Sequence, residues 1–323
     1  MEKEEQTYWW HITRRAILES ILNRFKGLLW CHPERNGSGV EGSPPLACLA
    51  RDSSTSPTLG VAALGMTKEQ LGMTNKQVRA RSCKILDVGC GTGVNFAWLN
   101  QFGEVMGADT SELAITIANR KGTAVLGRAE DLPFEDNTLD LVTAFDVLEH
   151  IADEKRVLGE WGRVLRPRGL LFVSVPAYQW LFGPHDRALE HLRRYNVPQL
   201  KRILSDNDFN VIFASHFFAL TFPIFLLQRF WVRNMPIIRS WIRQNNPSSP
   251  PLNKGEVGWG CNLQRLTNEP LTDKSQYVNV PKWLNNFLIS LGRVEAGWLK
   301  FGRFPFGSSI VVLARKIDQP RNI

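Results

Sequence analysis

From residue 83 to 215, short apolar runs alternate with stretches whose apolar residues recur every three or four positions. CKILDVG (83–89), EVMGAD (104–109), AVLGR (124–128), LDLVTAF (139–145), LLFVSV (170–175) and FNVIFAS (209–215) have strand length. Between them FAWLNQF (96–102), SELAITIANRK (111–121), DEKRVLGEWGRVLRPRG (153–169) and VPQLKRILSDN (197–207) read as helices. Thr110 or Ser111 caps the second helix, which stops at Gly122. In the third, Val157, Leu158, Trp161, Val164 and Leu165 share one face, and Pro-Arg-Gly ends it. A last apolar run, SSIVVLARK (308–316), lies far downstream. This alternation predicts a parallel, doubly wound α/β sheet with its ligand site at the carboxyl ends of the strands.

The pattern lapses twice. Residues 33–80 and 244–275 are rich in Ser, Pro and Gly, have no sustained period, and each contain SPPL. Such composition cannot bury enough apolar surface to offset the entropy of ordering it, so both are expected to be disordered insertions. The core is then 81–215, followed by a helical excursion over 216–300 and a final strand and tail over 301–323. Within the excursion FFALTFPIFLL (217–227) is uncharged, but Pro223 interrupts it and it falls short of the roughly 18 residues of a membrane span. RFWVRNMPIIRSWIR (229–243) interleaves Trp231, Ile237, Ile238 and Trp241 with four arginines. That mixture suits a helix at a membrane surface or a lid over a pocket. WLNNFLISLGRVEAGWLKFGRFPFG (283–307) packs back before the last strand.

Composition narrows the setting. Five cysteines, with no CxxC pair, argue against a disulfide framework or a zinc site, and no metal is expected. The acidic start MEKEEQ leads into no apolar signal core, so the expected compartment is the cytoplasm. The net charge of +8 is uneven: nine Lys/Arg face three acids between Arg187 and Arg243. An anionic partner fits this patch, as does a solvated basic face.

LDVGCGTG (86–93) occupies the first strand-to-helix turn. Gly89, Gly91 and Gly93 permit positive φ and close approach of a ligand to backbone. Asp109, at the end of the second run, is placed to take both hydroxyls of a ribose. A dinucleotide fingerprint would need glycine where Val94 stands, and Asp87 would repel a pyrophosphate. The acid instead suits a cofactor bearing an ammonium group.

LDVGCGTG, VMGAD, AEDLPFEDNTLDLVTAFDVLEHI and VLRPRGLLFVSVP together resemble the class I S-adenosylmethionine-dependent methyltransferases, specifically their bacterial small-molecule group, over about residues 83–215. The resemblance implies a Rossmann-like seven-stranded sheet whose last strand, SSIVVLARK, is antiparallel and pairs with FNVIFAS. It implies that Asp87 and the backbone of Gly89, Cys90, Gly91 and Gly93 hold the methionine end of the cofactor. Asp109 would bind the ribose, Thr110 would lie against the adenine, and Ala129 and Glu130 would meet its edge. Phe145 and Asp146 would border the sulfonium. The family commonly has Asp where this chain has Arg128, which cannot accept the adenine amino bond.

Acceptor chemistry must come from elsewhere. FGPHDRALEHLRRYN (182–196) follows the fifth strand, and His185, His191 and Tyr195, with His150 of LEH, are candidates for proton transfer. Arg193 and Arg194 could clamp an anionic group. This segment and TYWWHITRRAIL also resemble a methyltransferase sub-group associated with bacterial surface glycan and lipid pathways. On that resemblance residues 1–32 form a helix over the active site, and Trp10, His11 and Arg14 contact the acceptor. The expectation is methyl transfer, at oxygen, to a small or lipid- or glycan-linked acceptor, with peripheral contact at the inner membrane face. RNA methylation and an inactive cofactor-fold binding protein are the alternatives; no RNA-binding signature is present, which makes nucleic acid a poor partner.

Overall fold

The computed structural model describes residues 8–30, 82–227 and 281–318. The two low-complexity stretches and the Arg/Trp segment 229–243 lie outside them. Seven strands form one sheet: β1 (Lys84–Val88), β2 (Glu104–Asp109), β3 (Thr123–Leu126), β4 (Leu139–Phe145), β5 (Leu165–Pro176), β6 (Phe209–Phe217) and β7 (Ser309–Lys316). Their order is β3-β2-β1-β4-β5-β7-β6. β1 to β5 pair in parallel, and β7 runs antiparallel between β5 and β6. The expected sheet, with its antiparallel last strand, is therefore the one observed. Strand order reverses between β1 and β4, so the crevice beyond their carboxyl ends is where a ligand belongs.

Period-2 alternation along the strands builds two cores. On one face Phe145, Phe172 and Phe213 pack with Phe96 and Trp98 against helix α1 (Trp9–Arg24), through Ile17, Leu18, Ile21 and Leu22. The short helix α2 (Glu112–Ala118) closes the same side through Ala118. On the other face Leu86, Val142, Leu171 and Val173 meet α3 (Glu154–Val164) and α4 (Val197–Ser205), through Leu158, Trp161, Leu200 and Leu204.

Helix α5 (Lys282–Leu299) returns from the excursion and lies along α1. The two approach closely at Gly292, where an added Cβ would fall 2.2 Å from Thr13 Cγ2. Ser20 Oγ donates to the Ala296 carbonyl at 2.5 Å, and Arg24 Nη1 to those of Leu299 and Gly302 at 3.2 and 3.0 Å. Glu295 is buried in α5 and accepts from the backbone N–H groups of Ala219 and Leu220 just beyond β6. No helix among the described residues is long and apolar enough to cross a membrane.

Two local readings need correction, and a third is resolved. The helix of 153–169 ends at Val164, and Leu165 instead opens β5, paired with Leu139. Pro167 forbids the next helical hydrogen bond and pushes Arg166 to extended geometry; Arg166 Nη1 then donates to Asp140 Oδ1 at 2.6 Å. FAWLNQF is helical only over Phe96–Leu99. Of the two possible caps, Ser111 serves α2, accepting from the Ala114 N–H at 3.3 Å.

Candidate active site

The glycine turn leaves β1 with Gly89, Gly91 and Gly93 at φ of 68°, 52° and 74°. A Cβ on Gly89 would fall 2.6 Å from Val147 Cγ2, whereas one on Gly91 would meet no atom of the described residues within 4 Å. Gly91 is thus bare backbone facing open space. Asp109 holds the turn in place: Oδ2 accepts from the Gly91 N–H at 2.8 Å and Oδ1 from that of Ser111 at 2.9 Å. Each oxygen keeps a further lone pair. Thr110 is exposed beside it.

Asp87 is buried beneath the turn, where it accepts from Thr143 Oγ1 at 2.6 Å and Asn95 Nδ2 at 3.1 Å. Burial outweighs these bonds and pushes its carboxyl up to about 6. Cys90 is also buried; burial, reinforced by Asp87 and Asp109, pushes its thiol up to about 12. An inert thiol leaves Cys90 only its backbone to offer. At the far edge Ala129 and Glu130 follow β3, and Glu130 lies 3.5 Å from the exposed guanidinium of Arg128.

At the end of β4, Asp146 adopts φ of 57°, an uncommon conformation for a non-glycine residue. It accepts from Ser174 Oγ at 3.1 Å and pairs with Arg14 Nη2 at 2.9 Å. The Arg14 guanidinium lies 5.0 Å from the Trp10 ring centroid and 5.7 Å from that of Phe145. Its Nε is buried without a hydrogen-bond partner among the described residues. Trp10 stacks on Phe218 at 6.0 Å. His11 is half-buried, and burial together with Arg14 pushes it down to about 4, so it is neutral. A cavity of about 510 Å³ separates α1 from the glycine turn, with His11, Arg14, Glu19, Gly93, Asn95 and Arg293 among its lining. Trp10, His11 and Arg14, assigned to the acceptor from sequence, thus gather at the turn and Asp146.

The residues of 182–196 divide. His191 and His150 meet edge to face, ring centroids 4.8 Å apart. Asp186 is fully buried and accepts from Arg194 Nε at 2.6 Å and the Gly183 N–H at 2.8 Å, with His191 Nδ1 3.2 Å away. Burial alone would raise its carboxyl; the bonds from His191 and Arg194 outweigh that and hold it well below the usual range. Arg194 is 6% exposed, and its Nη1 also donates to the Ala177 carbonyl. Arg193 pairs with Glu154 at 3.0 Å and donates to the Ala152 carbonyl. His185 is exposed on the turn Pro184–Ala188.

Tyr195 does not reach this surface. It is fully buried, and its hydroxyl donates to Glu154 Oε1 at 2.6 Å. Burial, then Glu154, raises the phenol far above its ordinary range. Tyr195 and Arg194 therefore hold the segment in place. Glu149, fully buried beside His191, was missed from sequence because a Glu in LEH reads as solvated. Asn95, Thr143 and Ser174, which support Asp87 and Asp146, carried no motif.

Residues 86–173 match the methyltransferase domain family. A ubiquinone biosynthesis O-methyltransferase of Mesorhizobium japonicum is 35% identical over 99 residues, 28% of this chain and 40% of its own. A demethylmenaquinone methyltransferase of Symbiobacterium thermophilum is 40% identical over 98 residues, 26% of this chain and 39% of its own. A probable S-adenosylmethionine-dependent methyltransferase of Mycobacterium tuberculosis is 28% identical over 178 residues, 53% of this chain and 65% of its own. The chain thus spans about half the length of the curated relatives it matches. Strand order, glycine turn and these matches agree: the core of this chain is a class I S-adenosylmethionine-dependent methyltransferase domain.

Proposed function

We propose that the protein transfers a methyl group from S-adenosylmethionine to an oxygen of a small, lipid-linked or glycan-linked acceptor. The observation that carries this reading is the junction at the end of β4, where Arg14 both pairs with Asp146 and lines the cavity reaching Gly93 and Asn95. The residues present fit the cofactor. Gly91 offers open backbone, Asp109 keeps lone pairs for ribose hydroxyls, and the orphaned Arg14 Nε suits the amino-acid carboxylate. Asp87 suits the ammonium, whose approach would offset the burial that now favours its neutral form. When bound, the cofactor supplies an electrophilic methyl on sulfur.

The chain's own part is positioning. Trp10 and Phe145 form an apolar wall around Arg14, and α1 screens the site from water, which favours an in-line approach. A hydroxyl nucleophile must lose a proton. His150, whose pKa is lowered by burial and by His191, is the neutral imidazole assigned to accept it.

A lipid-linked acceptor is supported by α5. Trp283, Phe287, Val294 and Trp298, with Phe301 beyond its end, are exposed at spacings of three, four and seven residues, which is one helical face. Lys282, Lys300 and Arg303 flank it. An apolar stripe with basic flanks suits an anionic lipid surface.

Calorimetric titration with S-adenosylmethionine and its demethylated product, with Asp109→Ala as control, tests the reading. Micromolar binding lost in the variant is expected. Labelled methyl transfer is then screened on hydroxylated lipid-linked and glycan acceptors, with RNA alongside. No binding to folded protein would leave a cofactor-fold partner without chemistry; label entering RNA would overturn the acceptor.

A further inference from the structure

We propose that Glu149, His150 and His191 form a binding site for one divalent transition-metal ion. One ligand atom from each lies within 4.8 Å of the other two. Glu149 is fully buried, and among the described residues neither of its carboxylate oxygens has a hydrogen-bond partner beyond the backbone N–H of Glu149 itself. A buried carboxylate left unpaired is costly, so such groups are normally paired or on a metal. The nearest cationic candidate, His191 Nε2, stands 3.9 Å from Oε1, beyond hydrogen-bond length.

The two imidazoles are already oriented as metal ligands are. His191 Nδ1 is held by Asp186, which frees Nε2 toward Glu149. The His150 ring is hydrogen-bonded to the Glu190 backbone. A ligating histidine characteristically has its other nitrogen fixed by a carboxylate or a carbonyl. This also gives Asp186 and Arg194 a purpose, since the buried pair steadies His191 from behind.

Local charge leaves room for a cation. Burial and the neighbouring Asp146 raise the Glu149 carboxyl well above its ordinary value against the pull of Arg14 and Arg194, and a bound cation would favour its ionised form. Two imidazoles and one carboxylate suit zinc, manganese or iron better than calcium or magnesium, which prefer oxygen alone. Bonds of about 2.1 Å to a tetrahedral ion set donors roughly 3.4 Å apart, so closure of up to about 1.4 Å is needed. Among the described residues Glu149 has no hydrogen bond to another side chain to break in doing so. With an ion bound, both imidazoles are ligands and His150 is no longer the base assigned above. The cluster itself stands whichever acceptor the domain serves.

The test uses full-length protein without a histidine tag. Metal content after purification is measured by mass spectrometry; chelator-stripped protein is titrated with Zn²⁺ and Mn²⁺, and Co²⁺ binding is followed by absorption. One equivalent per chain is expected, with affinity lower by at least tenfold to a hundredfold in Glu149→Gln and in His191→Ala. Binding of the demethylated cofactor product reports folding separately. Wild-type protein that binds this product but no ion overturns the proposal. So does an ion bound equally by wild type and by both variants. Metal binding without cofactor binding would sustain this inference while refuting the methyl-transfer reading.

Discussion

Gly292→Ala tests whether α5 holds α1 over the site. A Cβ there falls 2.2 Å from Thr13 Cγ2, 2.3 Å from Oγ1 and 2.7 Å from Cβ. Thr13 is 1% exposed, so its side chain has nowhere to turn, and relief requires the helices to separate by about 1 Å. Overpacking of this kind costs about 1–3 kcal/mol, while alanine returns about 1 kcal/mol of helix propensity. The expected net loss is therefore up to about 2 kcal/mol. Thr13→Ala alone should be nearly neutral. It gives up a buried methyl, worth about 0.8 kcal/mol, but also removes Oγ1, which is buried without a partner among the described residues. In the double variant only the Cβ contact remains, so most stability should return, with a coupling of about 1 kcal/mol. Urea unfolding followed by circular dichroism supplies the four free energies. Because Arg14 adjoins Thr13, displacement of α1 should also weaken cofactor binding several-fold in Gly292→Ala, with recovery in the double variant. Free energies that simply add across Gly292→Ala and Thr13→Ala, with no coupling, would refute the helix contact argued here.

Two further outcomes separate structure from chemistry. Asp87 takes up its proton near 6 when folded but near 3.8 when unfolded, so between those values the folded state binds more protons and stability falls as pH rises. Asp87→Asn should therefore stabilise the cofactor-free protein at pH 8 by about 1–2 kcal/mol and weaken cofactor binding; a less stable variant at pH 8, by urea unfolding, would refute the burial argument. Tyr195→Phe should cost about 1–2 kcal/mol of stability through loss of the bond to Glu154, with kcat within twofold of wild type in the labelled-methyl assay; a large kcat loss without instability would return the hydroxyl to catalysis.

The strands were legible because each is a short apolar run that stops at a glycine, an acid or a turn. The β1 turn was legible because its glycines are required by φ, and Asp109 because it ends the neighbouring strand. Boundaries fared worse where two elements share apolar residues. Leu165 continues the apolar face of α3, and only its pairing with Leu139 places it in β5. Tyr195 resembled a catalytic group because its neighbours are polar. Its partner Glu154 precedes it by 41 residues, a pairing that no local pattern discloses. Glu149 was hidden for the opposite reason, since nothing in LEH signals that its carboxylate is enclosed. Cysteine spacing, the basis for expecting no metal, says nothing about a His/Glu cluster assembled from the turn after β4 and the segment after β5.

The excursion acquires a purpose from the contacts that link it to the site. Ala219 and Leu220, immediately after β6, bind the buried Glu295 carboxylate and so fix α5 against the sheet. Helix α5 in turn accepts Ser20 and Arg24 of α1 on its carbonyls, with the close approach at Gly292 between them. Helix α1 then delivers Arg14 to Asp146, 132 residues away in sequence. Each link is non-local and adds to the direct packing of α1 on Phe96, Phe145 and Phe172, so the position of α1 is complete only once β6 and α5 are formed. The isolated fragment 86–173, although it contains the glycine turn and both acids, lacks Arg14 and the wall opposite the turn. Its backbone could still contact a nucleoside, but Asp146 would face water, and the carboxylate partner assigned to Arg14 would be lost. The family-matched segment supplies the cradle, and α1 and α5 make it a site.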